Sequence, residues 1–214
     1  MPCDPPAPRV PPVLRGLVLG DPPPVWERLG FAVIDDRVHL GGVCLHLTGA
    51  GGGLLGWELD PAAPGPIHGL APATATPPRP APEIAHPNGV RGIDHVVVAT
   101  PDHERTADAL ASIGLHPRRT VDGARGDGAT RYRFTLLGTC LLEVIGPVTA
   151  AADPGEARFV GLALVAPDLT VFGEHAGEPQ PAVQPGRDIV TLRSRALGGG
   201  VPLAVLTPRA TRPG

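Results

Sequence analysis

Apolar and polar positions between residues 92 and 146 fall into four short strand-like runs and one helical stretch. GIDHVVVATPD (92–102) is apolar with one histidine, His95, among β-branched residues, and closes in a Thr-Pro-Asp turn; this predicts a strand over Ile93 to Ala99. Asp102 then opens DHERTADALASIG, with Glu104 in the first turn and Gly114 at the end, the capping signature of a short helix. LHPRRTV (115–121), RYRFTLL (131–137) and CLLEVIG (140–146) follow as strands joined by glycine-containing turns. The predicted order is β-α-β-β-β.

The same pattern recurs on both sides. RFVGLALVAPD (158–168) overlays GIDHVVVATPD, and is followed by a helix predicted from Asp168, a strand near 179–183, DIVTLRS (188–194) and VPLAVLT (201–207). Upstream, Leu14 to Leu19 runs into an Asp-Pro turn at Asp21, then a short helix around Val25 to Leu29 and strands at 31–34 and 37–40. The last strand of that unit is either VCLHLTG or LLGWELD. The reading is therefore an amino-terminal partial unit (1–60), a central unit (91–150) and a carboxy-terminal unit (151–214). Residues 61–90, too rich in Pro and Ala to pattern as strand or helix, form a linker between the first two.

Composition narrows the function classes. Proline and glycine number 29 each, but they cluster and leave clean apolar runs between them, so a folded chain is expected. The formal charge of −3 comes with scattered arginines, which excludes a nucleic-acid footprint. No apolar run approaches the roughly 18 residues of a membrane helix, and MPCDPPAPRVPPV lacks the basic-then-apolar order of a signal peptide. A cytoplasmic protein with reduced thiols is expected, because Cys3, Cys44 and Cys140 show no metal-knuckle or disulfide spacing. Two Trp, one Tyr and four Phe are too few for a stacking cage and favour a small polar or aliphatic ligand.

The tandem unit, opening on G-I-D-H-V and closing on L-L-E-V-I-G-P, resembles the vicinal oxygen chelate superfamily (glyoxalase, bleomycin resistance and extradiol dioxygenase proteins). Within it the chain is closest to glyoxalase-like members of actinobacterial type. The likeness is carried by residues 92–147 and by AVQPGRDIVTLR (182–193), and is weaker over 14–60. It implies an α+β fold in which βαβββ modules pair their curved mixed sheets into an open barrel. It also implies a divalent metal (Zn, Ni, Mn or Fe) held by residues of first and fourth strands, and lyase, isomerase or dioxygenase chemistry. The same scaffold also makes metal-free binding proteins, so the fold does not choose among functions.

By that resemblance His95 and Glu143 fall on metal-ligand positions and are the candidate catalytic pair. An imidazole and a carboxylate suit such metals. Strand alternation supports one face, with Ile93, His95 and Val97 on one strand and Leu141, Glu143 and Ile145 on the other. A glutamate inside an apolar strand also needs a partner, which His95 can supply. In the third unit, however, Gly161 stands opposite His95 and Ala204 opposite Glu143, while Gly16 is the first unit's counterpart of His95. His39, His46, Glu58 or water are left to complete a metal site, and a plain hydrogen-bonded His95–Glu143 pair is the alternative.

Arginines make a second constellation. Arg131 and Arg133 share one face of RYRFTLL and can bind a carboxylate or phosphate bidentately if that face lines the pocket; an exposed sheet face is the ordinary alternative. Arg187, after the Pro185-Gly186 turn, is the third candidate for substrate binding, with Arg193 nearby. GAGGGLLG (49–56) lacks the Lys-Ser/Thr of a phosphate loop and is expected as a hairpin loop. Trp26 reads as core and Trp57 as core or hairpin cover, with a pocket wall as the alternative, while His103, His116 and His175 are expected in solvent. Two functions stay open: a metal-assisted enzyme acting on a small oxygenated molecule, or a metal-free small-molecule binding or sequestering protein, either of them in a monomer or a homodimer.

Overall fold

The predicted strands assemble into two open, mixed sheets in the computed structural model, which describes residues 10–73, 83–125, 128–150, 152 and 155–209. The first sheet has the order β2 (Arg37–Leu40), β3 (Val43–Leu47), β1 (Val13–Leu19), β4 (Leu54–Asp60). The second has the order β10 (Gln180–Pro181), β11 (Asp188–Leu192), β12 (Leu203–Leu206), β9 (Arg158–Val165), β5 (Gly92–Ala99), β8 (Cys140–Pro147), β7 (Gly128–Leu137), β6 (Pro117–Arg125). The fold is α+β and neither sheet closes.

In the second sheet β5 runs parallel to β8, and β8, β7 and β6 are antiparallel neighbours. Helix α2 (His103–Ala111) makes the crossover from β5, and its N-cap is Asp102, whose carboxylate accepts from the backbone N–H of Glu104 and Arg105. β9 and β12 repeat the parallel pair, and the two sets join through antiparallel β5 and β9. The crossover after β9 is not the predicted helix: Thr170–His175 forms two short 3₁₀ pieces separated by a kink at Gly173 (φ 48°, ψ −128°), and Asp168 accepts from the N–H and hydroxyl of Thr170.

In the first sheet β1 is parallel to β3 and antiparallel to β4, so VCLHL and LLGWELD are both strands, on opposite sides of β1. The strand predicted at 31–34 does not form. Phe31 instead packs inward on Trp26, ring centroids 4.8 Å apart, and the chain turns at Asp35 and Asp36, both with positive φ, a conformation aspartate tolerates. Helix α1 (Pro23–Arg28) is preset by the prolines of its first turn.

One continuous apolar core runs through both sheets. Trp57, fully buried on β4, meets Phe159 of β9 edge to face at 5.4 Å. Asp21, at the end of β1, accepts from the N–H of Gly200 (2.5 Å), the N–H of Val201 (3.1 Å) and Trp26 Nε1 (3.2 Å), and so ties the first sheet to the turn before β12. GAGGGLLG is not a hairpin loop: its last three residues begin β4, and residues 49–53 join β3 to β4 across β1, held by backbone bonds to Gly20; a Cβ at Gly20 would lie 1.7 Å from the Gly51 carbonyl oxygen, which explains the glycine there. The linker is docked at both described ends. Residues 71–73 bond to the backbone of Trp57, and Asn88 donates to the Leu29 carbonyl; 74–82 lie outside the described residues.

Candidate functional site

Alternation along β5 breaks at one residue, and the site depends on that break. The pairing of β5 with β9 steps from Ile93↔Leu164 to His95↔Ala163, leaving Asp94 as an extra residue, a bulge. Ile93 therefore turns into the core with Val96 and Val98, while Asp94 and His95, which regular alternation would separate, both leave it. Their side chains meet, His95 Nδ1 to Asp94 Oδ2 at 2.8 Å.

Glu143 stands on β8, in register with Val97 and one step from Leu141, which pairs with His95. Leu142 and Val144 point into the core, and Glu143 takes the other face. His95 Nε2 lies 3.3 Å from Glu143 Oε2, with the two side chains only 14% and 16% exposed. With Nδ1 turned to Asp94, Nε2 is the nitrogen that faces Glu143.

Arg187 completes the row. From just before β11 it reaches across β12 and β9, and its Nη1 lies 2.8 Å from Asp94 Oδ1, both groups almost wholly buried. Nε donates to the Thr207 carbonyl at 2.6 Å and Nη1 also donates to Gln184. Burial pushes the Asp94 carboxyl up, but hydrogen bonds from His95 and Arg187, with the guanidinium charge, outweigh it and hold Asp94 below the usual carboxylate range. The result is a chain of four groups, Arg187–Asp94–His95–Glu143, contributed by both parts of the eight-stranded sheet.

The other candidates lie elsewhere. In the β7/β8 register Phe134 pairs with Glu143 and Tyr132 with Ile145, so Tyr132 and Phe134 flank the Glu143 face. Arg131 and Arg133 alternate with them and sit on the helix-covered face. Arg133 donates to the His103 carbonyl at 2.8 Å and to Glu104 at 2.5 Å, and Arg131 pairs with Asp122 at 2.8 Å. The structure therefore does not bring these two arginines to His95. His103 is buried rather than solvated, because it opens α2 against β7 and β8. His116 is exposed, Cys44 and Cys140 are buried free thiols, and Cys3 lies outside the described residues.

His39, His46 and Glu58 all belong to the first sheet, and none is grouped with the His95–Glu143 pair around a common point. Among the described residues no three His, Cys, Asp or Glu side chains are placed to share an ion. The pair offers one imidazole nitrogen and one carboxylate oxygen, and the third carboxylate nearby, Asp94, is engaged by Arg187 and His95. That donor set does not fit a resident catalytic metal, which takes three protein ligands in a typical zinc site.

Of the residues the sequence nominates, the structure brings His95, Glu143 and Arg187 into one row, and it adds Asp94, which the sequence reading does not name. The signal was present: an aspartate beside the histidine in an otherwise apolar strand cannot obey alternation without burying one charge or bulging.

No protein-family model matches the sequence, and no curated protein matches it. Solved structures do. A triple mutant of 4-hydroxymandelate synthase from Streptomyces coelicolor aligns over 96% of this chain and 95% of its own length, at 14% identity and a TM-score of 0.60. The fold is that of the vicinal oxygen chelate superfamily. A catechol 2,3-dioxygenase aligns over 97% of this chain and 91% of its own, at 13% identity and a TM-score of 0.52. A fusion of a xylose isomerase-like TIM barrel with a 4-hydroxyphenylpyruvate dioxygenase aligns over 99% of this chain and 51% of its own, at 14% identity and a TM-score of 0.58. β9 and β12 repeat the parallel pairing of β5 and β8, and Gly161 and Ala204 stand on β9 and β12.

Proposed function

We propose that this chain binds a small oxygenated molecule over the His95–Glu143 pair and handles a proton on one of its oxygen atoms. The observation that carries the reading is the 3.3 Å approach of His95 Nε2 to Glu143 Oε2 on a shielded face, with His95 oriented from behind by Asp94. Asp94 fixes the ring through Nδ1, so that Nε2 is the nitrogen placed to exchange a proton with a ligand oxygen while Glu143 accepts one. Tyr132 and Phe134 supply apolar walls on the same face. Ala204 is a small residue on β12, which fits a ligand of a few heavy atoms, whereas the place of a Cβ at Gly161 is filled by the Pro202 carbonyl 2.4 Å away. The solved structures of this fold include proteins named for hydroxymandelate, hydroxyphenylpyruvate and catechol chemistry, all oxygen-rich small molecules, in keeping with that class.

A sequestering role without turnover is the second reading, favoured by the absence of ligating side chains at positions 161 and 204. The test is a thermal-shift screen of 2-oxo acids, 2-hydroxy acids and catechols, followed by calorimetry on the parent chain, His95→Ala and Glu143→Ala. Binding to the parent that is lost in both variants is expected. Binding that survives both overturns the reading. Conversion of the bound compound separates enzyme from sequestering protein, and metal analysis of protein purified without chelators checks the donor-set argument: a stoichiometric ion lost in both variants would refute it.

A further inference from the structure

The first sheet carries a polar face of its own that the His95 site does not use. On β2 and β3, Arg37 stands directly across from His46, and His39 directly across from Cys44; Cys44 in turn neighbours Gly16 on β1, which pairs with Glu58 on β4. Alternate residues Val38, Leu45, Leu17 and Trp57 take the opposite, core face. In this register His46 holds beside Val18 the place that Glu143 holds beside Val97. Gly16 leaves room for the glutamate, since a Cβ there would lie 2.9 Å from Glu58 Oε2.

Buried N–H groups are almost always bonded, yet Arg37 Nε, His39 Nδ1 and His46 Nε2 are all buried without a hydrogen-bond partner. His39 as a whole is only 7% exposed. Arg37 and His46 are half-buried, which leaves a way in from solvent. A neutral imidazole carries its proton on either nitrogen, so these groups offer N–H donors on adjacent strands to a molecule that only accepts.

We infer that Arg37, His39 and His46 form a second binding site, distinct from the His95 pair, that takes the carboxylate of a small organic acid. A planar guanidinium edge suits a carboxylate. The charge count selects a monoanion: among the described residues Arg37 is the fixed cation beside the two histidines, Arg15 being paired with Asp60, Glu58 is a carboxylate of the same row, and burial followed by the Arg37 charge keeps both histidines below the usual imidazole range. His86, docked from the linker onto the His39 carbonyl, adds to the depression at His39. A doubly charged phosphate meets Glu58 with no second cation. Cys44 stays a thiol, its pKa raised to about 11, chiefly by burial, and takes no part.

The test is a histidine Cε1–H NMR titration of the full chain with sodium acetate, and separately with inorganic phosphate, resonances being assigned through His39→Phe and His46→Phe. Saturable acetate shifts confined to His39 and His46 are expected, retained in His95→Ala and weakened about tenfold or more in Arg37→Gln, the size of a charge-assisted hydrogen bond. Unmoved His116 and His175 resonances in Arg37→Gln certify its fold, and Arg37→Lys keeps part of the affinity. Absence of saturable shifts at His39 and His46, affinity unchanged in Arg37→Gln, or phosphate binding as tightly as acetate overturns the inference.

Discussion

The two polar faces of this molecule sit on strands of matching register and solve burial in opposite ways. On the eight-stranded sheet every side chain in the row meets a charged or polar partner, Arg187 with Asp94, Asp94 with His95 and His95 with Glu143, and only Arg187 Nη2 stays buried without an acceptor among the atoms of these four described side chains. On the four-stranded sheet Arg37, His39 and His46 keep buried nitrogens with no partner. A completed row is rigid and presents one aimed nitrogen, whereas an uncompleted row stores the cost of dehydrated donors until something accepts from them. The comparison teaches that similar strand frames yield either a preorganised pair or a receptive surface, according to whether the chain supplies the last acceptor.

The largest effect comes from breaking the completed row. Asp94→Ala strands Arg187 as a buried, unpaired charge and is expected to cost about 3–5 kcal/mol in urea unfolding. Adding Arg187→Met should return most of that loss; a single variant as stable as the parent would mean that the row is not a unit. Next, Asp21→Ala removes the acceptor that joins the first sheet to Gly200 and Val201 and is expected to cost about 2 kcal/mol. Hydrogen exchange should then open the first sheet before β5 and β9.

Acid sharpens the contrast. His39, His46 and His103 all have folded pKa values lowered, chiefly by burial, so the unfolded chain binds more protons than the folded one as pH falls below about 6.5. Their contribution is fully present above that value and lost as pH drops through the folded values. The thermal midpoint should decline from pH 7 to pH 5, less steeply in His39→Phe. Asp94 acts only lower, its contribution disappearing as the pH falls below the usual carboxylate range. The smallest effect belongs to the Arg15–Asp60 pair between β1 and β4, whose side chains are 43% and 33% exposed; Arg15→Gln should change stability by at most about 1 kcal/mol.

Most strands were legible because their apolar periods are clean, and His95, Glu143 and Arg187 stood out as polar groups in apolar or turn settings. What escaped was not periodic. The bulge at Asp94 is a one-residue shift whose only trace is an ill-placed charge, so Ile93 was assigned to the wrong face. Arg131 and Arg133 alternated as expected, but period 2 does not say which face meets a helix. The strand expected at 31–34 lost to Phe31, which gains more by packing on Trp26 and His86 than by pairing. The polar face of the first sheet had been read as spare ligands for His95; only the sheet order revealed that it belongs to another surface.

The position of β4 bears on assembly. It lies antiparallel along β1 as β9 lies along β5, and residues 71–73 bond to its outer edge at Trp57. At Trp57 the outward N–H and C=O of β4 are thus satisfied from within the same chain. Strand exchange between copies at that seam would have to expel β4 and its buried tryptophan first. The other edge strands of the two sheets are β2, β6 and β10, and β6, with Arg118, Arg119 and Asp122 along it, carries the charges that discourage edge-to-edge pairing.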